Sequence, residues 1–380
     1  MQITPFVSVI VPVRNAERTL DKTFEYLLNI DYPRRNMEIL IADGGSTDKT
    51  IAVIEKWQKE YPFIQLVEIP NCPSPGYARN KALDVVKGDF IFFTDGDCAP
   101  CKKWITEILR HFQNDPKIGI VGGEIYTLRV DPDNLTELYC EHFRFNMVAP
   151  RYGFIGEGYF PPLFDYYPTQ IAGHRAFFFV TANAAYRKEA IDKTKARFWS
   201  DPTGEDIEFG LKVQKDGWKL YFAPQARVDH MHRADFKALK KVWVTYGIAH
   251  GPLISTYAAG QMEIILQFLQ KMPIIKFRFP IKGFIYLGNF QLMNLFIIAT
   301  IIGIFGIMLG GIERWGIYTL LTFLLGIYFT RRFFDTCFHM LPHKHFFTWC
   351  KMKYMTNLCF SIGGLKNIKK YKVFCIEPSF

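Results

Sequence analysis

The chain is 380 residues long, 49% hydrophobic and 16% aromatic, with a formal net charge of +10. That length leaves room for a large core and more than one folding unit, and the hydrophobic content falls short of a polytopic membrane protein. The charge is concentrated at one end: residues 331–380 hold two Arg and seven Lys against Asp335 and Glu377, a net +7, which leaves +3 for the rest. A basic, aromatic-rich end after an apolar stretch fits an anionic membrane surface. Nucleic acid is set aside as a partner, because no stacking or groove-reading motif accompanies the charge.

The N-terminal part alternates strand and helix patterns. Phe6 to Val11 is an apolar, β-branched run ending at Pro12, and Glu17 to Asn29 places Leu20, Phe24, Leu27 and Leu28 on one helical face. Glu38 to Ala42 is the next strand, and Ser46 or Thr47 is expected to cap a helix carrying Ile51, Ile54 and Trp57. Phe63 to Val67 is a strand, Ala78 to Val86 a helix, and Ile91 to Thr94 a buried strand. This order predicts a parallel sheet with helices on both faces.

From about Ile125 to Gln170 the pattern becomes irregular, with aromatics, prolines and glycines crowding Phe143 to Tyr167. Such a stretch in a compact domain is functional or mobile. Regularity returns at Phe177 to Val180, at a helix from about Glu205, and at a strand over Trp218 to Phe222. Among the eight cysteines only Cys98 and Cys101 are close, as Cys-Ala-Pro-Cys. With no second pair at metal-ligand spacing and no secretory leader, they read as reduced cysteines of a cytosolic domain.

Beyond residue 235 the character changes. Met262 to Phe279 mixes apolar residues with Lys271, Lys276 and Arg278, which predicts helices lying in a membrane interface. Leu287 to Leu309 contains no charged residue and is long enough to cross a bilayer. Glu313-Arg314 interrupts, and the short run Gly316 to Thr330 either borrows flanking residues to cross or re-enters. Arg331, Arg332 and the lysines that follow predict a cytoplasmic C-terminus. The expected organisation is an α/β domain over residues 1–235, interfacial amphipathic helices over 236–286, a transmembrane helical hairpin over 287–330 and a basic cytoplasmic membrane-surface tail over 331–380.

Five clusters carry candidate chemistry. Asp95-Gly96-Asp97 follows a predicted strand, at the sheet edge where ligands of open α/β folds bind. Its carboxylates suit a hard divalent cation that also holds substrate phosphates, although the same triplet also makes an ordinary turn. Pro12-Val13-Arg14-Asn15 ends the first strand and presents backbone groups to a ligand. Asp43, in Ile41-Ala42-Asp43-Gly44-Gly45-Ser46-Thr47-Asp48, can accept a hydrogen bond from a base imide or a ribose, or simply shape a capped turn. Arg79, in Gly76-Tyr77-Ala78-Arg79-Asn80, can contact a phosphate or base, or form a salt bridge. Glu205-Asp206 opens a helix, where the macrodipole favours acids and where one of them can serve as a general base. His230 and His232, two apart, would share one face of a strand.

Taken together and in this order, these clusters resemble the family 2 glycosyltransferases of GT-A fold, over roughly residues 5–232. The resemblance implies a Rossmann-like sheet that binds a nucleoside diphosphate sugar through Pro12, Arg14, Asn15, Asp43, Arg79, Asp95 and Asn183. Asp43 would recognise the base, expected to be uracil, and Asp95 the ribose or nucleotide. Asp97 would hold Mg²⁺ or Mn²⁺, with His232 as the expected second metal ligand. Asp206, with Glu205 as second choice, would deprotonate the acceptor hydroxyl in an inverting displacement. Thr181-Ala182-Asn183 and Arg187 match a family segment lining the donor-acceptor cleft. The Gln-x-x-Arg-Trp motif of the processive members is missing, so a single addition is expected. The membrane region points to a lipid-linked or membrane-proximal acceptor. A nucleotidyltransferase would need a glycine-rich loop, and Pro12 to Arg18 has no glycine. A non-catalytic nucleotide-sugar-binding membrane protein would not need the full acidic set.

Overall fold

A computed structural model of the chain describes residues 4–144, 147–148, 156–161, 178–201, 203–269, 273–340 and 344–377. Much of the irregular stretch around Phe143 to Tyr167 lies outside the described residues. The described residues form two compact units, one before residue 235 and one from Asp235 onward.

The first unit is built on one mixed sheet. Its elements in order are β1 (Val7–Val13), α1 (Leu20–Leu28), β2 (Met37–Asp43), α2 (Thr50–Glu60), β3 (Ile64–Glu68), α3 (Pro75–Leu83), β4 (Phe90–Phe93), β5 (Cys98–Pro100), α4 (Trp104–Asn114), β6 (Ile118–Thr127), α5 (Leu135–His142), β7 (Gly158–Tyr159), β8 (Ala184–Arg187), α6 (Lys188–Thr194), α7 (Glu205–Lys215) and β9 (Lys219–His230). The strand order is β3-β2-β1-β4-β8-β6-β9-β5, with β7 against β9. Strands β3, β2, β1 and β4 run parallel, and β8 is antiparallel to both β4 and β6. The first half therefore has the doubly wound 3-2-1-4 order of a Rossmann-like sheet, which is the expected α/β class.

Burial on both faces explains the unbroken apolar runs. Alternate residues of β1, β2 and β4 feed two cores. One holds Leu20, Phe24, Ile54, Trp104 and Phe112, and the other holds Ala78, Ala82, Tyr186, Phe198 and Phe209. Pro12 lies late in β1, opposite Ala42 but beyond the last β4 pairing at Ile10. It therefore lacks an amide where one side of the strand no longer needs it.

Three local expectations are corrected. The segment expected to be irregular contains the helix α5, whose N-cap Asn134 accepts from the amides of Thr136 and Glu137. Among the described residues, Phe178 to Val180 form no strand, and a short 3₁₀ turn at Thr181–Asn183 and the strand Ala184–Arg187 follow them. Helix α2 starts at Thr50, not after Ser46 or Thr47, because Asp48 takes the Thr50 amide at 3.0 Å while Ser46 turns back to Asp43.

The second unit contains α8 (Phe236–Tyr257), β10 (Met262–Leu266), β11 (Ile274–Phe277), β12 (Lys282–Leu287), α9 (Asn289–Gly310), α10 (Ile312–Met340), α11 (Phe346–Tyr371) and β13 (Val373–Ile376). Met262 to Phe279 was expected to be helical, yet its described part forms β10 and β11 of a four-stranded sheet ordered β11-β10-β12-β13. Both strands are short and rich in isoleucine, and Pro273 and Pro280 flank β11, a pattern that favours strands over helix. Among the described residues of 236–286, only Phe236–Tyr257 is helical. The basic end is likewise folded: α11 buries Trp349, Cys350, Thr356 and Phe360, and β13 completes the sheet.

Helices α8 and α11 meet backbone to backbone. A Cβ on Gly247 would run into the carbonyl oxygen of Phe360, and one on Gly363 into that of Val244. Gly247→Ala is expected to cost about 1–3 kcal/mol, the typical penalty of overpacking. A thermal unfolding midpoint equal to wild type would contradict that close approach. Among the described residues one helix, α9, is long and apolar enough to cross a membrane. It pairs with α10 in a helical hairpin, where Gly303 and Gly306 admit Thr319 and Trp315.

Candidate active site

The carboxyl ends of β1, β2 and β4 present the first group of residues. Asp43 ends β2, and its Oδ2 accepts the amides of Gly45 (2.9 Å) and Ser46 (3.0 Å) while Oδ1 accepts the Ser46 hydroxyl. The turn requires Gly45 at φ +82°, a conformation that costs glycine little. Asn15, itself at φ +53°, accepts the Thr47 amide at 2.8 Å and donates its own amide to Ser46 Oγ at 2.8 Å. Pro12, Arg14, Asn15 and Asp43 thus belong to one pair of interlocked loops, with Arg14 exposed and donating to the Cys72 carbonyl at 3.3 Å.

The second group follows β4. Thr94 is fully buried and donates to the Ala182 carbonyl, which fixes where the chain leaves the sheet. In the next turn a Cβ on Gly96 would lie 2.7 Å from Val13 Cγ1. The Gly96 carbonyl accepts hydroxyls from Thr19 (2.8 Å) and Thr23 (3.1 Å). Glycine lets the turn lie against β1, and α1 holds it there. Asp97 then lies 3.5 Å from His230 Nε2, because β5 pairs with β9 in the register Cys98↔His230. The ligand atoms of Asp95, Asp97, Cys98 and His230 all lie within 4.8 Å of one another.

His232 is not in this cluster. Regular pairing in β9 ends at His230, so the two-residue alternation expected of a strand no longer applies. His232 is 2% exposed, its Nε2 is 2.9 Å from Thr127 Oγ1, and its carbonyl accepts from Arg18. Burial, then the neighbouring His230 and Arg233, hold its imidazole well below the usual histidine range. It supports His230, whose ring centroid is 4.9 Å away.

The third group joins α3 to α7. Arg79 is 3% exposed. Its Nη2 meets Asp95 Oδ1 at 2.8 Å and its Nη1 meets Glu205 Oε1 at 3.0 Å. Gly76 permits this approach, since a Cβ there would sit 2.8 Å from the Trp199 carbonyl oxygen and 3.0 Å from Glu205 Cγ. Burial opposes the Arg79 charge, but Asp95, Glu205 and Asp206 outweigh it and hold the guanidinium above its usual value. Burial, and then Asp206, push Glu205 up to about 7 against the pull of Arg79. Burial also raises Asp206, with Arg79 opposing. Glu205 is 8% exposed and bound to Arg79, whereas Asp206 is half-buried and accepts the Ile207 amide. Arg79 thus bridges two carboxylates, each terminal nitrogen engaged, which is the salt-bridge alternative for this residue.

Three carboxylates around one guanidinium, continuous with Asp97 and His230, form a single polar line at the end of the sheet. Residues 8–194 match the family described as glycosyl transferase family 2. These residues form a family 2 glycosyltransferase domain. The chain is 29% identical over 263 residues to the dolichyl N-acetyl-alpha-D-glucosaminyl phosphate 3-beta-D-2,3-diacetamido-2,3-dideoxy-beta-D-glucuronosyltransferase of Methanococcus voltae, covering 66% of this chain and 74% of that protein. It is 24% identical over 278 residues to the probable glycosyltransferase YdaM of Bacillus subtilis (strain 168), covering 71% of this chain and 58% of that one. Among solved structures, the mannosyltransferase PcManGT from Pyrobaculum calidifontis, in complex with GDP-Man and Mn²⁺, aligns at TM-score 0.47 and 19% identity, over 66% of this chain and 64% of that one.

Within the glycosyltransferase domain, Asn183 takes a different place from the expected donor contact. The β6–β9 register slips between Gly123 and Ile125, and Asn183 donates both amide hydrogens there, to the carbonyls of Glu124 (2.9 Å) and Ala226 (2.7 Å). Its Oδ1 accepts from Trp104 Nε1 at 2.8 Å. Arg187 likewise donates to the carbonyls of Ile118 and Phe112. Asn183→Ala is expected to orphan three buried groups, each costing about 1–3 kcal/mol, and to lower the melting temperature. Weaker donor binding at an unchanged melting temperature would contradict this structural role.

The donor set fits a divalent cation. Asp97 supplies carboxylate oxygens, and His230 presents Nε2 to it at 3.5 Å. Burial and the charges of Asp97 and Asp95 hold the Cys98 thiol well above its usual range. Two carboxylates, a thiol and an imidazole within reach of one another can hold a divalent cation.

Proposed function

We propose that this chain is an inverting glycosyltransferase that moves one sugar from a nucleoside diphosphate sugar, UDP-linked, to a hydroxyl or phosphate of a lipid-linked acceptor at the cytoplasmic face of a membrane. The observation that carries this reading is the line Asp97–Asp95–Arg79–Glu205, with Asp206 at its end. It joins the candidate cation site to the candidate base.

Asp43 contributes base recognition through one remaining acceptor direction. A carboxylate offers about four lone-pair sites, and its own turn uses three. Asp95 addresses the nucleotide while Arg79 fixes its Oδ1. Asp97 and His230 would hold a Mg²⁺ or Mn²⁺ ion, whose charge would stabilise the departing diphosphate. Asp206 takes the proton of the acceptor hydroxyl. The freed oxygen bonds the anomeric carbon, the bond to the diphosphate breaks with its electron pair, and the nucleoside diphosphate departs. Asp206 is preferred over Glu205 because it is the less buried of the two and carries no ion pair to Arg79.

Membrane anchoring is supported by the apolar outer faces of α9 and α10, where Ile301, Phe305, Met308, Leu309 and Ile317 are each more than half exposed. Exposed apolar area of this extent marks an interaction or membrane surface. The two helices are read as a membrane hairpin, with Arg331 and Arg332 on the cytoplasmic side. The relative from Methanococcus is named for transfer to a dolichyl phosphate-linked sugar, which supports a lipid-linked acceptor here. The test is incubation of the full chain with radiolabelled nucleotide sugars and membrane lipid extract, with and without EDTA. The reading requires EDTA-sensitive transfer of label to lipid with release of nucleoside diphosphate. Release of pyrophosphate would instead identify a nucleotidyltransferase.

A further inference from the structure

Helices α9 and α10 leave between them a groove of about 520 Å³, within the usual 300–1,000 Å³ range of small-ligand sites. Ile297 and Ile301 line it from α9, and Phe323 and Ile327 from α10. Gly326 keeps it open: a Cβ there would have only ordinary contact, 3.8 Å from Phe296, so a longer side chain would extend into the space. Thr300 turns its hydroxyl back to the Phe296 carbonyl at 2.7 Å, which leaves that wall apolar. The charge in the lining is Arg331, whose side chain is 82% exposed and only loosely paired with Asp335 at 3.9 Å. Arg332 follows it, its guanidinium 5.8 Å from the Tyr328 ring centroid.

An apolar slot with the Arg331 guanidinium in its lining complements an amphiphile with a hydrocarbon chain and an anionic head. Guanidinium matches phosphate in both charge and geometry, and arginine at a helix end reaches the headgroup layer. We propose that this groove seats the hydrocarbon chain of the lipid-linked acceptor, with its phosphate against Arg331. This rests on the lipid-acceptor reading above and adds where the chain is held.

The probe is a photoactivatable single-chain polyprenyl monophosphate added to the full chain in detergent micelles. Labelling is expected on the peptides carrying Ile297–Ile301 and Phe323–Ile327. Unlabelled polyprenyl phosphate should compete at about tenfold lower concentration than the corresponding alcohol, a difference of about 1.4 kcal/mol. Gly326→Leu should cut labelling at least about fivefold, with circular dichroism confirming the fold. Arg331→Gln, at an exposed position that does not threaten folding, should weaken labelling by the phosphate probe and spare the corresponding alcohol. Labelling spread evenly over the outer faces of both helices, or unchanged in a folded Gly326→Leu protein, overturns the groove. If such a protein still transfers sugar to lipid, the proposed function stands without it. Groove labelling in a protein that transfers sugar to no lipid acceptor overturns the acceptor assignment itself.

Discussion

Asp97→Asn is expected to lower kcat/KM by about 10²–10³-fold, the usual loss when a group that stabilises transition-state charge is removed. The substitution keeps the size of the side chain and the Asp97 carbonyl that accepts the Met231 amide at 2.8 Å, so the turn should persist and the melting temperature should stay near wild type. The loss should come through the cation. Titrating Mn²⁺ into EDTA-treated protein should restore wild-type transfer at low concentration and the variant only at much higher concentration. His230→Ala should weaken metal affinity by about 10–100-fold. His232→Ala should leave that affinity nearly intact and mainly lower stability, because His232 faces Thr127. Equal metal affinity in wild type and Asp97→Asn would remove the basis for the cation site.

Asp206→Asn is expected to lower kcat by about 10²–10⁴-fold, the range for a lost general base, with a smaller effect on donor binding. The pH profile gives the sharper test. Glu205 is pushed up to about 7 and Asp206 is raised alongside it, so the pair titrates as a unit. Activity that needs the deprotonated pair should therefore climb with pH through about 7, and Asp206→Asn should flatten that climb. Stability runs the other way. The folded pair holds its proton above the ordinary Glu value of 4.5, so the stabilisation it contributes is fully present below 4.5 and is lost as pH rises through about 7. Melting temperatures that rise with pH over this window would contradict the raised values. Arg79→Lys tests the link between the two halves of the site. A single ammonium cannot span both Asp95 and Glu205 as the guanidinium fork does, so both metal-dependent and base-dependent steps should suffer.

Parts of this site could be read in the sequence and parts could not, for physical reasons. The parallel half of the sheet was legible because β1, β2 and β4 are buried on both faces and read as continuous apolar runs. Asp43, Asp97 and the Glu205-Asp206 pair lie at element ends, where composition marks them. The Arg79 bridge was not legible: its partners are 16 and 126 residues away, and only folding brings them together. Choosing between His230 and His232 depended on the β5–β9 register, which no local pattern encodes. Asn183 looked like a cleft residue because it sits beside a family-like segment, yet its amide bonds carbonyls at the β6–β9 slip. The stretch around Ile274 resembled an amphipathic helix because apolar and basic residues alternate there, and that alternation equally suits an edge strand with charged outer positions.

The most direct measurement is the anomeric configuration of the product, read by NMR from a single turnover with a donor of defined configuration. One displacement assisted by Asp206 predicts complete inversion at the transferred carbon, with the signal disappearing in Asp206→Asn. A product that retains the donor's configuration, or inversion at full rate without Asp206, would contradict the account.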